Sequence, residues 1–306
     1  MNIDRRSLLT GMAGTALLGL PKPTLAATTT SIGDFQVDSV SDGNLVLPGA
    51  MFFEGHPIAE VDKILAPLNM SKTQVEPPCN ITLVRHEGRV ILFDAGSGDG
   101  FMPTAGTLVD SLDAIGIAPD DVTHVVFTHG HPDHLWGVLD DFDDPVFTEA
   151  EHMIGQVEWD YWTDPNTVNT IGDTRASFAV GAARRLDAVA DRMTFFKDGA
   201  EVLPGIMAHA TVGHTPGHMS FEVRSGSDAL LIGGDAIGNN HIAFARPKWA
   251  SGSDQDPDLA AITRARLLDM LSHDKTPLLG FHLPDGGIGR VEKRGDEYQF
   301  VSEEIQ

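Results

Sequence analysis

The middle of the chain carries an unusual density of side chains that bind metal ions. Residues 128–134 read Thr-His-Gly-His-Pro-Asp-His, which places three imidazoles and one carboxylate at His129, His131, Asp133 and His134. The first two histidines follow an apolar strand-like run, and the proline after them favours a helical turn that would bring the other two side chains alongside. These ligands are too many for one tetrahedral zinc with an open position. The segment therefore predicts two metal ions, each completed by ligands from elsewhere.

Three positions further along the chain could complete such a site. His218 ends a Thr-Pro-Gly-His turn, Asp235 follows an apolar run and two glycines, and His282 follows another short apolar run. Taken singly, each is better explained as a hydrogen-bonded loop residue or a turn former. Taken together with the 128–134 cluster, they favour a metal site.

Asp94 ends a strand-like run in the sequence Phe-Asp-Ala-Gly. We expect its carboxylate to accept the second ring N–H of a metal-binding histidine, which would fix the orientation of that ring. The alternative is an aspartate that only forms a turn.

The surrounding sequence alternates strand-like and helix-like segments, which predicts one α/β domain over residues 28–306. The β-branched run 121–128 predicts a strand buried on both faces. Glu87 and Gly88 predict a tight hairpin turn, and Asp256 predicts a helix N-cap before a proline. Strands are predicted at 80–86, 89–94, 203–212, 219–224 and 228–232, and helices at 107–115, 174–190 and 258–271.

The His-x-His-x-Asp-His pattern, with the other candidates in order around it, resembles the metallo-β-lactamase superfamily. The resemblance implies an αββα sandwich with two metal ions, which we expect to be zinc, at one edge. By position it implies that one metal is held by His129, His131 and His218, the second by Asp133, His134 and His282, and both by Asp235. The chain departs from many members at Trp136, where a glycine is common after the cluster.

A site with two divalent ions predicts hydrolysis. The two ions lower the pKa of a shared water far below its value in bulk, towards roughly 7, so that hydroxide exists at neutral pH and no serine or cysteine nucleophile is needed. Asp133 or Asp235 could take the proton during turnover. The electrophile would be a carbonyl carbon or a phosphorus atom.

Within the superfamily, the chain resembles the methyl parathion hydrolase and lactonase group. That resemblance rests on an export signal, the segment 282–291 and an aromatic-rich entrance. It implies a lactone, an aryl ester or an organophosphotriester as substrate. The alternatives are a β-lactamase, a thioester hydrolase, a persulfide dioxygenase with a single iron, and a metal-binding protein without turnover.

The composition limits the partners. Asp and Glu number 44 against 21 Lys and Arg, a formal net charge of -23, which disfavours nucleic acid and anionic membrane surfaces. The single cysteine, Cys79, excludes a disulfide framework and is interpreted as structural. We expect a small neutral hydrophobic substrate and keep a homodimer as the candidate assembly. Residues that could line the substrate pocket, unless they only pack, are Phe52, Phe53, Trp136 and His241.

The first 27 residues are typical of an export signal. Arg5 and Arg6 precede a short apolar run, and Pro21 and a small-residue cleavage site follow it. The run is too short for a membrane span, so no membrane anchor is predicted. The paired arginines favour the twin-arginine route and a periplasmic location, with an ordinary secretory signal as the alternative.

Overall fold

A computed structural model describes residues 27–302 of the chain, which form two facing β-sheets with helices outside them. The predicted signal at 1–27 lies outside the described residues, except for Ala27. The first sheet contains, in spatial order, β1 (Thr28–Ile32), β2 (Phe35–Asn44), β5 (Pro78–His86), β6 (Arg89–Phe93), β7 (His124–Phe127), β8 (Glu151–Gly155) and β9 (Met193–Phe196), while β3 (Leu47–Pro48) and β4 (Gln74–Val75) form a separate pair.

The second sheet also has seven strands, in sequence order. It contains β10 (Glu201–Leu203), β11 (Ile206–Ala210), β12 (Met219–Ser225), β13 (Asp228–Ile232), β14 (Leu278–Leu279), β15 (Ile288–Arg294) and β16 (Glu297–Ser302). The helices are α1 (Ala50–Phe53), α2 (Ile58–Leu65), α3 (Leu108–Ala114), α4 (Pro132–Leu135), α5 (Gln156–Thr163), α6 (Thr167–Thr170), α7 (Ala176–Ala188), α8 (Ile242–Ala245) and α9 (Pro257–Asp274).

Three apolar layers hold these elements together. Between the sheets, Phe93 of β6 packs against Phe221 of β12 with ring centroids 5.0 Å apart. Helices α3 and α7 cover the outer face of the first sheet with side chains such as Leu186. Helix α9 covers the second sheet with Leu268 and Leu271. The order helix, sheet, sheet, helix is the predicted αββα sandwich, which is confirmed.

The structure agrees with the local predictions at β7 and at the start of α9, and differs from them between β10 and β11. Strand β7 is buried on both faces, because Val125 and Phe127 face the helices and Val126 faces the second sheet. Asp256 caps α9 by accepting the N–H of Leu259 at 3.0 Å. The strand predicted at 203–212 is β11, which is shorter at both ends, and a turn separates it from Leu203 of β10.

The direction of the strands sets where a site can form. Strands β6, β7, β8 and β9 run parallel to one another, and β13 runs parallel to β14. Their carboxyl ends therefore meet at one edge of the sandwich, where α/β sheets commonly bind ligands. No helix among residues 27–302 combines the length and apolar content needed to cross a bilayer.

Candidate metal centre

The predicted histidines and aspartates follow the carboxyl ends of these parallel strands. Strand β7 leads into the 128–134 cluster, β13 into Asp235 and β14 into His282. At the end of β7, the chain stays extended at His131 and then enters α4 at a proline. A side chain at Gly130 would meet the Trp162 indole, since a Cβ there would lie 2.5 Å from Nε1. Only glycine therefore fits between the first two histidines.

Three imidazoles form the first group of candidate ligands. His131 Nδ1 lies 3.0 Å from His129 Nε2 and 2.9 Å from His214 Nε2. All three side chains are buried. Two nitrogens bound to one tetrahedral zinc are about 3.3 Å apart, given Zn–N bonds of about 2.0 Å. Both distances are close to that value, and the ligand atoms of the three histidines all lie within 4.8 Å of one another, so they could share one ion.

His214 occupies the place that the sequence analysis gave to His218, and this assignment needs correction. Both ring nitrogens of His218 already have protein partners: Nε2 accepts the Asp235 backbone N–H at 3.0 Å, and Nδ1 lies 2.8 Å from Thr211 Oγ1. Its ring packs beside His129 with centroids 5.0 Å apart. His218 thus stabilises the loop through its two hydrogen bonds, while the Nε2 atom of His214 points into the site.

The second group mixes imidazole and carboxylate. Asp133 Oδ2 lies 3.2 Å from His282 Nε2 and 3.5 Å from His134 Nε2. The Cys79 sulfur is close to Asp133 and His282, but its side chain is fully buried and burial raises its pKa to about 12. The thiol is therefore protonated at neutral pH, in keeping with the structural role predicted for it.

Asp235 lies between the two groups. Its Oδ2 is 3.3 Å from His214 Nε2 in the first group and 3.4 Å from His282 Nε2 in the second. Its Oδ1 is 3.5 Å from His134 Nε2. One carboxylate thus contacts imidazoles of both groups, which is the geometry of a bridging ligand.

Several buried atoms at this point have no hydrogen-bond partner among the described residues. They are Asp133 Oδ2, His134 Nε2 and Asp235 Oδ1. Buried polar atoms are nearly always paired, and each unpaired one costs about 1–3 kcal/mol. A nitrogen and oxygen donor set of this kind suits divalent ions such as zinc. The residues present therefore fit two divalent metal ions.

Buried carboxylates lie within hydrogen-bond distance of the Nδ1 atoms of two of these imidazoles. Asp94 Oδ2 lies 2.7 Å from His134 Nδ1, and Asp94 Oδ1 accepts the Thr128 N–H at 2.7 Å. Asp254 Oδ1 lies 3.0 Å from His214 Nδ1, and its Oδ2 accepts a hydrogen bond from Arg264. Each carboxylate places the ring proton on Nδ1, which leaves the lone pair of Nε2 directed into the site. Asp94 thus lies where the sequence analysis expected it, whereas Asp254 was not predicted.

Glu158 of α5 is a second residue that sequence reasoning missed. It is fully buried; its Oε1 accepts the Gly130 N–H at 2.9 Å and the Trp162 indole N–H at 2.5 Å. Its Oε2 accepts the Thr215 hydroxyl and the Gly217 N–H, both at 2.8 Å. One side chain therefore fastens the loop of His129 and His131 to the loop of His214. A glutamate in an otherwise amphipathic segment gives no sign of this in the sequence.

The two groups differ electrostatically. Burial, together with the neighbouring imidazoles, holds the pKa values of His129 and His131 well below the usual range, so both rings are neutral at pH 7. Burial also acts to lower the pKa of His134, but the carboxylates of Asp133, Asp235 and Asp94 raise it to about 10. His129 and His131 thus offer neutral imidazoles, and the second group is a network of opposite charges whose protons a metal would displace.

A narrow cleft of about 90 Å³ leads to both groups. Of the four predicted pocket residues, only Phe52 lines it. Phe53 and His241 pack one layer behind Phe52, with ring centroids 5.4 Å apart, and burial lowers the pKa of His241 to about 4. Trp136 stacks on Arg185 and supports Phe101 from behind. The cleft is lined mainly by Leu45, Leu47, Met51, Phe52, Pro77, Phe101 and Phe178 around His131, Asp133, His214, Asp235 and His282.

Known proteins are similar to this chain in structure or in sequence. The structure is similar to AidC, a dizinc quorum-quenching lactonase (TM-score 0.86, 24% identity, 92% of this chain and 98% of that chain). It is also similar to the hydrolase AbOPH of the β-lactamase superfamily (TM-score 0.85, 26% identity, 93% of this chain and 100% of that chain). The N-acyl homoserine lactonase AttM of Agrobacterium fabrum is 31% identical over 186 residues, which span 58% of this chain and 64% of AttM.

A family profile gives the broader assignment. The profile of the metallo-beta-lactamase superfamily matches residues 75–282, a range that begins before the first sheet's central hairpin and ends at His282. This range contains every candidate ligand described above. The chain belongs to the metallo-beta-lactamase superfamily.

Proposed function

We propose that the protein is a hydrolase of lactones and aryl esters that works with two divalent metal ions, most simply zinc. The observation that carries the proposal is the position of Asp235, whose carboxylate contacts imidazoles of both ligand groups at 3.3–3.5 Å. The ligands proposed are His129, His131 and His214 for one ion, Asp133, His134 and His282 for the other, and Asp235 for both. The lactonase activities named for AidC and AttM support the substrate class.

The side chains of the cleft have separate roles in substrate binding and proton transfer. Two divalent ions supply Lewis-acid activation of water and of the substrate carbonyl. The apolar wall around Phe52, Met51 and Phe178 packs the substrate chain and keeps bulk water out of the cleft. Asp133 and Asp235 both line the cleft, so their carboxylates are the groups placed to accept a proton during hydrolysis.

A covalent mechanism has little support from the residues of the cleft. The Ser253 hydroxyl is 2.8 Å from Ser251 Oγ and has no histidine base as a hydrogen-bond partner. The Cys79 thiol is buried beneath the site. Direct attack by activated water is therefore the reaction that these side chains favour.

The test is elemental analysis of the purified protein, combined with hydrolysis assays on a lactone, an aryl ester, a phosphotriester, a thioester and a β-lactam. We expect about two zinc ions per chain and turnover of the lactone or the aryl ester. Chelation should abolish that turnover, and His131→Ala should lower it by more than about a hundredfold, while Arg184→Gln on the exposed face of α7 should not change it. One iron per chain without hydrolysis would replace this proposal with the dioxygenase, and metal without any turnover would favour a binding protein.

We also propose that the protein is exported to the periplasm by the twin-arginine route. The support is the sequence alone: paired arginines, a short apolar run and a small-residue cleavage site within residues 1–27. Fractionation of cells that express the full chain tests it. Replacing Arg5 and Arg6 by lysines should keep the protein in the cytoplasm, whereas unchanged export would favour an ordinary secretory signal.

A further inference from the structure

One arginine lines the cleft beside its apolar wall and the candidate ligands. Among the described residues that line it, Arg175 is the only lysine or arginine. Phe178, one helical turn further along, lines the same wall. In a chain with a net charge of -23, a single arginine beside the metal centre is a specific feature. An arginine at this place was not expected for the small neutral hydrophobic substrate predicted from the sequence.

The guanidinium of Arg175 makes one hydrogen bond to the protein and keeps other N–H groups available for a ligand. Its Nη2 donates to the Gly252 carbonyl at 2.7 Å, and its other N–H groups have no hydrogen-bond partner among residues 27–302. The neighbouring Asp254 is already paired with His214 and Arg264. Arg175 is half-buried, so part of its hydration is lost without a full protein partner to replace it.

The position of Arg175 relative to the metal centre suggests what could replace that hydration. Arg175 is half-buried and so lies at the rim of the cleft. Gly252, which accepts its hydrogen bond, donates its N–H to the carbonyl of Met51 at 2.8 Å, and Met51 lines the same cleft. On its other side, Arg175 borders a shallow groove that contains Tyr161 and Gln255. A substrate with its reacting carbonyl over the metal ligands would therefore place a distal group next to the guanidinium.

We propose that Arg175 binds an anionic group of the substrate at the rim of the cleft, so that preferred substrates are esters or lactones with a carboxylate at the far end of an apolar chain. This inference rests on the proposed hydrolase function and narrows its substrate class. A charge-assisted hydrogen bond between guanidinium and carboxylate corresponds to about tenfold or more in affinity. The apolar wall binds the hydrocarbon chain of the substrate, and Arg175 binds the carboxylate at its far end.

Matched aryl esters test this directly in the zinc-loaded enzyme. The pairs are 4-nitrophenyl hexanoate with mono-4-nitrophenyl adipate, and 4-nitrophenyl octanoate with mono-4-nitrophenyl suberate, which differ only in a terminal methyl or carboxylate. At one chain length at least, kcat/KM should be higher for the carboxylate ester in the wild type. The ratio of the two values should fall at least about tenfold in Arg175→Gln, mainly through KM, and only partly in Arg175→Lys.

The control is Arg184→Gln, which removes an exposed arginine from α7, the helix that Arg175 directly precedes, and should leave the ratio unchanged. The inference is overturned if the wild type does not prefer the carboxylate at either length, or if Arg175→Gln keeps the preference. These outcomes differ from failure of the proposed function, in which the zinc-loaded enzyme hydrolyses none of the four esters.

Discussion

His214 and His218 lie four residues apart in one loop, yet their ring nitrogens face different surroundings. The Nε2 atom of His214 lies 2.9 Å from His131 Nδ1, inside the first ligand group. The Nε2 atom of His218 accepts the backbone N–H of Asp235, which fixes the turn that carries the bridging carboxylate. At the scale of single residues, one histidine is placed to bind metal and the other to build the loop.

We therefore expect opposite results from replacing them. His214→Ala removes a donor and should reduce the metal content to about one ion per chain after dialysis, with little change in the fold. His218→Ala should retain two ions in the folded protein but lower its stability by about 1–3 kcal/mol, because it leaves a buried N–H without a partner. Elemental analysis and urea unfolding of both variants measure this. Loss of an ion in His218→Ala alone would reverse the assignment.

The sequence could predict much of the centre but not this distinction. His129, His131, Asp133 and His134 are close in the chain, so their common position follows from local geometry. Which of two histidines in a loop faces inward depends on the hydrogen bonds that the loop makes with distant strands. The same holds for Asp254, which reaches His214 across 40 positions.

Helix α5 joins two loops of the site, because its Glu158 accepts hydrogen bonds from both loops that carry the first ligand group. Gly217 also packs closely on this helix, since a Cβ there would lie 2.2 Å from the Glu158 backbone nitrogen. Burial raises the pKa of Glu158, and its four hydrogen bonds act to lower it. The helix therefore sets the distance between His131 and His214 through one carboxylate.

Glu158→Gln should weaken metal binding without removing any ligand. The new amide would direct an NH₂ group at donors that need an acceptor, and we expect the affinity of the first ion to fall about 10- to 100-fold. Competition with a chelator measures that affinity, and circular dichroism checks the fold. Asp160→Asn, on the exposed face of the same helix, is the matched control. Equal affinities in the two variants would show that Glu158 does not position the loops.

Most of the strands and helices could be predicted from the sequence. The hairpin at Glu87 and Gly88, the buried strand β7 and the capped helix α9 follow from turn chemistry, apolar runs and capping residues. The predicted strand 203–212 began too early, because Pro204 and Gly205, a dipeptide typical of turns, separate Leu203 of β10 from β11. The pairing of β13 with β14, 45 residues later, is set by tertiary packing that no local pattern contains.

The stability of the whole molecule should depend on pH through a histidine far from the cleft. His152 of β8 is buried, stacks near Phe127, and has no hydrogen-bond partner for either ring nitrogen among the described residues. Burial and the nearby Arg192 lower its pKa from 6.5 to about 4. Between these values the unfolded chain binds a proton that the folded protein does not, so stability falls as the pH drops from about 6.5 towards 4.

His152→Leu should remove this contribution. At pH 5, the wild type loses about 2 kcal/mol through His152 relative to pH 8, given about 1.4 kcal/mol for each pH unit below 6.5. The difference in unfolding free energy between variant and wild type should therefore shift by about that amount, in favour of the variant, from pH 8 to pH 5. Urea unfolding at both pH values measures it. The same difference at both pH values would contradict the prediction.

The candidate ligands are spread over more than half of the chain and over both sheets. His129 and His131 follow a strand of the first sheet, whereas Asp235 and His282 follow strands of the second. During synthesis, the site therefore remains incomplete until His282 has left the ribosome. With the proposed ligand set, the second metal ion can bind only after that point, and a shortage of metal during expression should reduce the yield of correctly assembled protein as well as its activity.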